Sequence, residues 1–171
     1  NSDSVKFVTL QAKVWDAGRG TLLATHHGHQ DGVHAVAFAS TGTTIATAGG
    51  DGTVRLWRPT GGRELTDLPA PGGKVHGVAY SPDGRHVAAA DDAGMVTIWD
   101  TGSGEQILRL PADPKKVYAV EYSPQGDVVA TGGADGIVRL WDPTSGARLR
   151  ELPGHTRTVW KLAFASEGTL L

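Results

Sequence analysis

Cysteine is absent from the 171-residue chain, which excludes a disulfide framework, a thiolate zinc cluster, an iron–sulfur site and a cysteine nucleophile. An excess of either charge is absent too. Sixteen Lys and Arg stand against eighteen Asp and Glu, a net charge of −2, so the sequence as a whole offers no attraction to nucleic acid or to an anionic membrane. No apolar run approaches the ~20 residues of a membrane-spanning helix. The opening NSDSVKFVTL has neither the basic region nor the apolar stretch of a signal peptide. The expectation is a soluble, cytoplasmic protein without nucleic-acid or membrane partners. The first residue is Asn1 rather than Met, and the expectation is an N-terminus processed, trimmed or cut from something longer. Helix signals are missing as well: no stretch of 10 to 12 residues is free of Gly, Pro and strand-type alternation.

What is present is a repeat. Trp15, Trp57, Trp99 and Trp141 are spaced by 42 residues, and the contexts KVWD, RLWR, TIWD and RLWD recur in register. The same shift aligns Val33, Val75, Val117 and Val159, then Val36, Val78, Val120 and Leu162, then Phe38, Tyr80, Tyr122 and Phe164. Twenty-four Gly and nine Pro add many tight turns between short apolar segments. Within one unit, VHAVAFA at 33–39 alternates with the period of a strand. TIATA at 44–48, TVRLW at 53–57 and RELTDL at 63–68 read as three further strands, with GGDG at 49–52 as a tight turn. A four-stranded meander of this kind cannot bury both faces alone, so successive units must stack. Radial stacking gives an all-β propeller of four-stranded antiparallel blades.

At these residues the chain resembles the WD-repeat family, through its period, its Gly-His pairs at 28–29 and 154–155, and Trp-Asp at 15–16, 99–100 and 141–142. The little-diverged units resemble bacterial members in particular. The resemblance implies a buried hydrogen-bonded chain in each blade, made of a His, a Ser or Thr, an Asp and the Trp. The first full unit supplies His29, Thr47, Asp51 and Trp57; a later one supplies Thr131, Asp135 and Trp141, with Asp113 in place of the His. The middle unit departs, with Pro71, Ala89 and Ala93 beside Trp99, and is expected to rely on packing. A His-Asp-Thr set suggests catalysis, but here the implied position lies inside a sheet stack, without an accessible nucleophile or oxyanion site. No catalytic residue is expected. His26, His27 and His29 suggest a metal site, yet His29 is claimed by the blade network and no other ligand cluster completes the shell. No metal or cofactor is expected.

Positions that do not repeat are free for other work. After the recurring Val come His34, His76, Tyr118 and Trp160, which the resemblance places on the rim of the upper mouth. Lys74, Lys116 and Asp92 stand nearby, Asp92 as a rim carboxylate expected to matter little to stability. Flat rings among mixed charges suit a peptide. The expected function is therefore a non-enzymatic scaffold that binds a protein or peptide on its upper face. The alternative is a propeller-type hydrolase or lactonase at the central mouth. That chemistry wants convergent carboxylates or His ligands, a set which Tyr118 and Trp160 interrupt.

Four periods account for all but three residues. The expected organisation is a partial blade at 1–27, blades at 28–69, 70–111 and 112–153, and a partial blade at 154–171. Such a half-ring of about four blades leaves open faces. A homodimer closing an eight-bladed ring, by pairing residues 170–171 of one copy with 5–15 of the other, would cover them; blades from a longer chain would do the same.

Overall fold

The computed structural model describes residues 10–170, which form β-strands and turns with no helix among them. The first sheet has two antiparallel strands, β1 (Gln11–Asp16) and β2 (Thr21–His27). Three four-stranded antiparallel sheets follow in sequence order. They are β3 (Val33–Phe38), β4 (Ile45–Gly49), β5 (Thr53–Trp57) and β6 (Glu64–Pro69); then β7 (Val75–Tyr80), β8 (His86–Asp91), β9 (Met95–Asp100) and β10 (Gln106–Pro111); and β11 (Val117–Tyr122), β12 (Val129–Gly133), β13 (Val138–Trp141) and β14 (Arg148–Leu152). The expected strands appear within a residue or so of their predicted limits.

The blades are held by two apolar clusters, one at each junction between complete blades. Ala46, Ala48, Val54, Leu56 and Leu68 of the first meet Val75, Val78, Tyr80, Val87 and Trp99 of the second. Ala88, Ala90, Val96, Ile98 and Leu110 of the second meet Val120, Tyr122, Val129 and Trp141 of the third. Alanine on one side admits the large rings of the other, so neighbouring sheets approach closely. The tight turn between the second and third strands ends on Gly52, Gly94 and Gly136, with φ of 80°, 80° and 77°. A Cβ on Gly94 would collide with the Asp113 carbonyl and one on Gly136 would lie 2.8 Å from that of His155, so glycine here locks each blade to the loop entering the next.

The ring is open. Val36 and Phe38 are 58% and 57% exposed, whereas Val78 and Tyr80, at the same positions one blade later, are both 9% exposed. At the other end Leu152 is 36% exposed against 1% for Leu68. The half-sheet β1–β2 lays Val14 and Ala24 on Ile45, and no other described strand covers the face that carries Val36 and Phe38. Within the expected partial blade at 154–171, residues 159–164 form no ladder beyond an isolated bridge between Phe164 and Leu170. A strand needs a hydrogen-bonded neighbour, and the next one would begin only at position 171. Of the expected exchange segment 5–15, residues 5–9 lie outside the described residues, as does Leu171.

Candidate functional site

Inside the first complete blade, Trp57 Nε1 donates to Thr47 Oγ1 at 2.8 Å, Thr47 Oγ1 lies 2.7 Å from His29 Nε2, and His29 Nδ1 lies 3.0 Å from Asp51 Oδ1. Every group is satisfied when Thr47 donates to Nε2 and Nδ1–H donates to the carboxylate. Burial works to raise the Asp51 pKa, but the Gln30 amide, the Thr53 hydroxyl and His29 outweigh it and hold it at about 2. Thr47 is fully buried. The set braces a blade and presents no nucleophile to a substrate.

The third complete blade keeps only part of this chain. Trp141 Nε1 donates to Thr131 Oγ1 at 2.9 Å, but Asp135 does not join them, correcting its assignment to that network. Without a His at position 113, the Asp135 carboxylate pairs with Arg139 Nη2 at 2.7 Å, and its amide donates to Asp113 Oδ2 at 2.9 Å. In the middle blade Asp91, which sequence reasoning passed over, is buried and accepts from the amides of Ala93 and Met95 at 2.9 and 3.0 Å. It stands two positions before the repeat's turn Asp, so alignment alone did not find it. His26, His27 and His29 do not converge: His26 is buried against Trp57, His27 is exposed, and His29 is engaged as described.

The upper rim is built by a backbone irregularity repeated in every complete blade. Pairing of β3 with β4, β7 with β8 and β11 with β12 slips between Val33 and Ala35, Val75 and Gly77, and Val117 and Ala119. The extra residue is His34, His76 or Tyr118. A bulge turns its residue out of the pairing pattern, and the rings so released pack in a row, His34 and His76 stacked and the later pairs tilted. Ring centroids are 5.3 Å apart for His34 and His76, 4.9 Å for His76 and Tyr118, and 4.3 Å for Tyr118 and Trp160. His34 Nδ1 donates to the Val75 carbonyl at 3.0 Å, tying the first ring to the next blade.

Charges flank this ladder in pairs. Asp92 Oδ1 lies 2.6 Å from His76 Nε2 and 2.9 Å from Lys116 Nζ, and Lys74 Nζ lies 2.6 Å from Asp31 Oδ2. Burial pushes the Asp92 pKa up, but His76 and Lys116 outweigh it and lower it, while Asp92 raises that of Lys116. Asp92 thus bridges two blades from the rim. Asp31 was missed because its register partners are Gly73, Lys115 and Arg157, which give no repeated acidic signal. A cavity of about 270 Å³ opens among His34, His76, Tyr118, Trp160 and Lys161. Below it a cavity of about 420 Å³ reaches Glu121 on β11, whose carboxyl is pushed up by burial against the opposing pull of Lys161. The arrangement offers flat stacking surfaces and compensated charge, a setting for recognition.

The family model described as "WD domain, G-beta repeat" matches residues 20–58, 62–100, 104–142 and 146–171. Among similar proteins, Eukaryotic translation initiation factor 3 subunit I of Pyricularia oryzae is 44% identical over 52 residues, which are 30% of this chain and 15% of that protein. Coronin-7 of Homo sapiens is 37% identical over 65 residues, 37% of this chain and 7% of that protein. Periodic tryptophan protein 2 homolog of Dictyostelium discoideum is 38% identical over 52 residues, 30% of this chain and 6% of that protein. The matches span no more than 15% of the length of these relatives. All three organisms are eukaryotes, so the comparisons lend no support to the expected bacterial character.

Proposed function

The chain belongs to the WD-repeat family, and from that premise we propose that it is a non-enzymatic interaction scaffold whose upper face binds a protein or peptide segment. The reading rests on one observation: three successive bulges each turn a flat ring to the same rim, where His34, His76 and Tyr118 pack in a row with Trp160. Ring identity varies while ring placement repeats. Packing requires only that the rim be filled; a graded run from imidazole to phenol to indole also presents chemically distinct subsites. Lys74, Lys116 and Asp92 hold the ladder at its edge, and large rigid rings lose little entropy on binding. One relative is by its name a subunit of a larger factor, which agrees with a role in assembly. A cytoplasmic setting belongs to the same proposal.

The proposal extends to a homodimer. Among the described residues each end carries what the other lacks: β1–β2 are outer strands without inner ones, and residues 159–164 occupy an inner position without outer ones. A second copy joined head to tail would cover Val36 and Phe38 of one end and Leu152 of the other, and two such contacts close eight blades. Light scattering tests this part; a folded, monodisperse 17.8 kDa species contradicts it.

Selection of a displayed random-peptide library on the chain tests the function. Enriched peptides should lose binding to a Tyr118→Ala, Trp160→Ala variant that remains folded. Enrichment indifferent to both substitutions, or none at all, contradicts the scaffold reading.

A further inference from the structure

Tyr118 and Tyr122 occupy opposite ends of β11, so the groove beside Tyr122 lies on the face away from the ladder. It is a cavity of about 340 Å³ between the second and third complete blades, walled by Pro82, Ile107 and Pro143 with Asp83 and Gln125 at its edge. Ile107 is 42% exposed because β10 bulges there, pairing slipping between Gln106 and Leu108. The bulge turns an aliphatic side chain toward the groove.

Tyr122 lines the same groove, is 5% exposed, and its hydroxyl has no hydrogen-bond partner. Burial, with the nearby Asp83 carboxylate, pushes its pKa up, so the group stays O–H and remains a donor in want of an acceptor. Such a donor sits in a dry setting where a new hydrogen bond displaces no water, and its satisfaction is worth more than at a wet surface. One blade earlier the corresponding hydroxyl, on Tyr80, likewise lacks a hydrogen-bond partner, but Tyr80 does not line this groove.

The turns around the groove are acidic. Asp83, Asp100 and Asp142 each cap a turn: Asp83 accepts from Ser81 Oγ and the Arg85 amide, Asp100 from the amides of Gly102 and Ser103, and Asp142 from those of Thr144 and Ser145. These bonds lower all three carboxyl pKa values. Among the described residues Arg85, 3.8 Å from Asp83 and 80% exposed, opposes them, and so does His86, which lines the groove and adds to the lowering at Asp83 and Asp100.

We propose that this groove is a second docking site, for an extended basic peptide. A main-chain carbonyl of the peptide accepts from Tyr122 Oη, an aliphatic side chain lies among Pro82, Ile107 and Pro143, and flanking cations face Asp83 and its neighbours. The site is independent of the upper rim, because different ends of the strands build the two.

Titration of the full chain with acetyl-Lys-Leu-Lys-amide, followed by the NMR shifts of the Ile107 methyl groups, tests the proposal, with acetyl-Glu-Leu-Glu-amide as the charge-reversed control. The basic peptide should bind and the acidic one should not. Tyr122→Phe removes one oxygen and no packing, so the variant folds, and it should weaken binding about three- to tenfold, the range of one hydrogen bond. Asp83→Asn should weaken it up to about fivefold. Tyr80→Phe and Trp160→Ala should leave it unchanged, and loss of upper-face binding in Trp160→Ala has no bearing on this groove. Equal binding of both peptides, unchanged affinity in Tyr122→Phe, or no shift at ~10 mM peptide would overturn the assignment.

Discussion

Trp57 donates its indole N–H to the hydroxyl of Thr47 at 2.8 Å, and in the third complete blade Trp141 does the same to Thr131 at 2.9 Å. The two blades then part: the first continues through His29 to Asp51, and the other stops, its Asp135 turned to Arg139. One pattern of sequence thus yields two electrostatic solutions, which respond differently to substitution and to acid.

Asp51→Ala leaves the His29 Nδ1–H and the Gln30 amide without their acceptor, a loss on the order of 1–3 kcal/mol. Because the folded pKa of Asp51 is lowered to about 2 from 3.8, its contribution is present above about pH 4 and is lost as pH falls toward 2. The span corresponds to roughly 2 kcal/mol. Urea unfolding at pH 7 and pH 2.5 should show a gap between wild type and Asp51→Ala that narrows in acid. An equal gap at both values would remove Asp51 from the blade network.

His26 occupies the register of Leu68, Leu110 and Leu152. It is 2% exposed, its ring lies 5.0 Å from that of Trp57, and neither ring nitrogen has a hydrogen-bond partner. Burial lowers its pKa from 6.5; the nearby Gly62 backbone opposes that, and His27 adds to it. The unfolded chain therefore takes up a proton below about pH 6.5 that the folded chain resists, and stability falls with pH there. His26→Leu should stabilise the docking of β1–β2 by on the order of 1 kcal/mol and flatten the melting temperature between pH 7.5 and 5. A variant with the same pH slope as wild type would show that the slope arises elsewhere.

Asp92→Ala frees His76 and Lys116 from their shared carboxylate. The groups are partly exposed, so the expected cost is about 1 kcal/mol, smaller than for Asp51→Ala and reduced at high salt. A double-mutant cycle with Lys116→Met reads the coupling directly. Strict additivity of the two substitutions would mean that the pair contributes nothing.

The fold was legible because packing repeats. Val75 and Trp99 fill the same kind of space as Val117 and Trp141, so the 42-residue period in their spacing reports on geometry. The rim ladder was legible for the opposite reason, as the position where His34, His76, Tyr118 and Trp160 fail to repeat. Asp91 and Asp31 were not legible: each acts from a position at which the other units carry no carboxylate, and only folding brings Asp31 to Lys74 across 43 positions of sequence. The groove at Tyr122 was hidden because its aromatic repeats faithfully as a core residue, while the missing hydrogen bond is a property of three-dimensional surroundings. The bulges that aim the rings leave no mark on an apolar pattern.

The measurement that bears most directly on the account is the affinity of a library-selected peptide for wild type, Tyr118→Ala, Trp160→Ala and Thr47→Ala, each with its melting temperature. If the ladder is the binding surface, the two ring substitutions weaken binding at least tenfold, each ring contributing more than ~1.4 kcal/mol, with little change in melting. Thr47→Ala, which cuts the buried chain between Trp57 and His29, lowers melting and leaves affinity intact at temperatures where the protein is folded. The reverse pattern, with ring variants that bind as wild type but melt early, would make the ladder a packing device and contradict the scaffold reading.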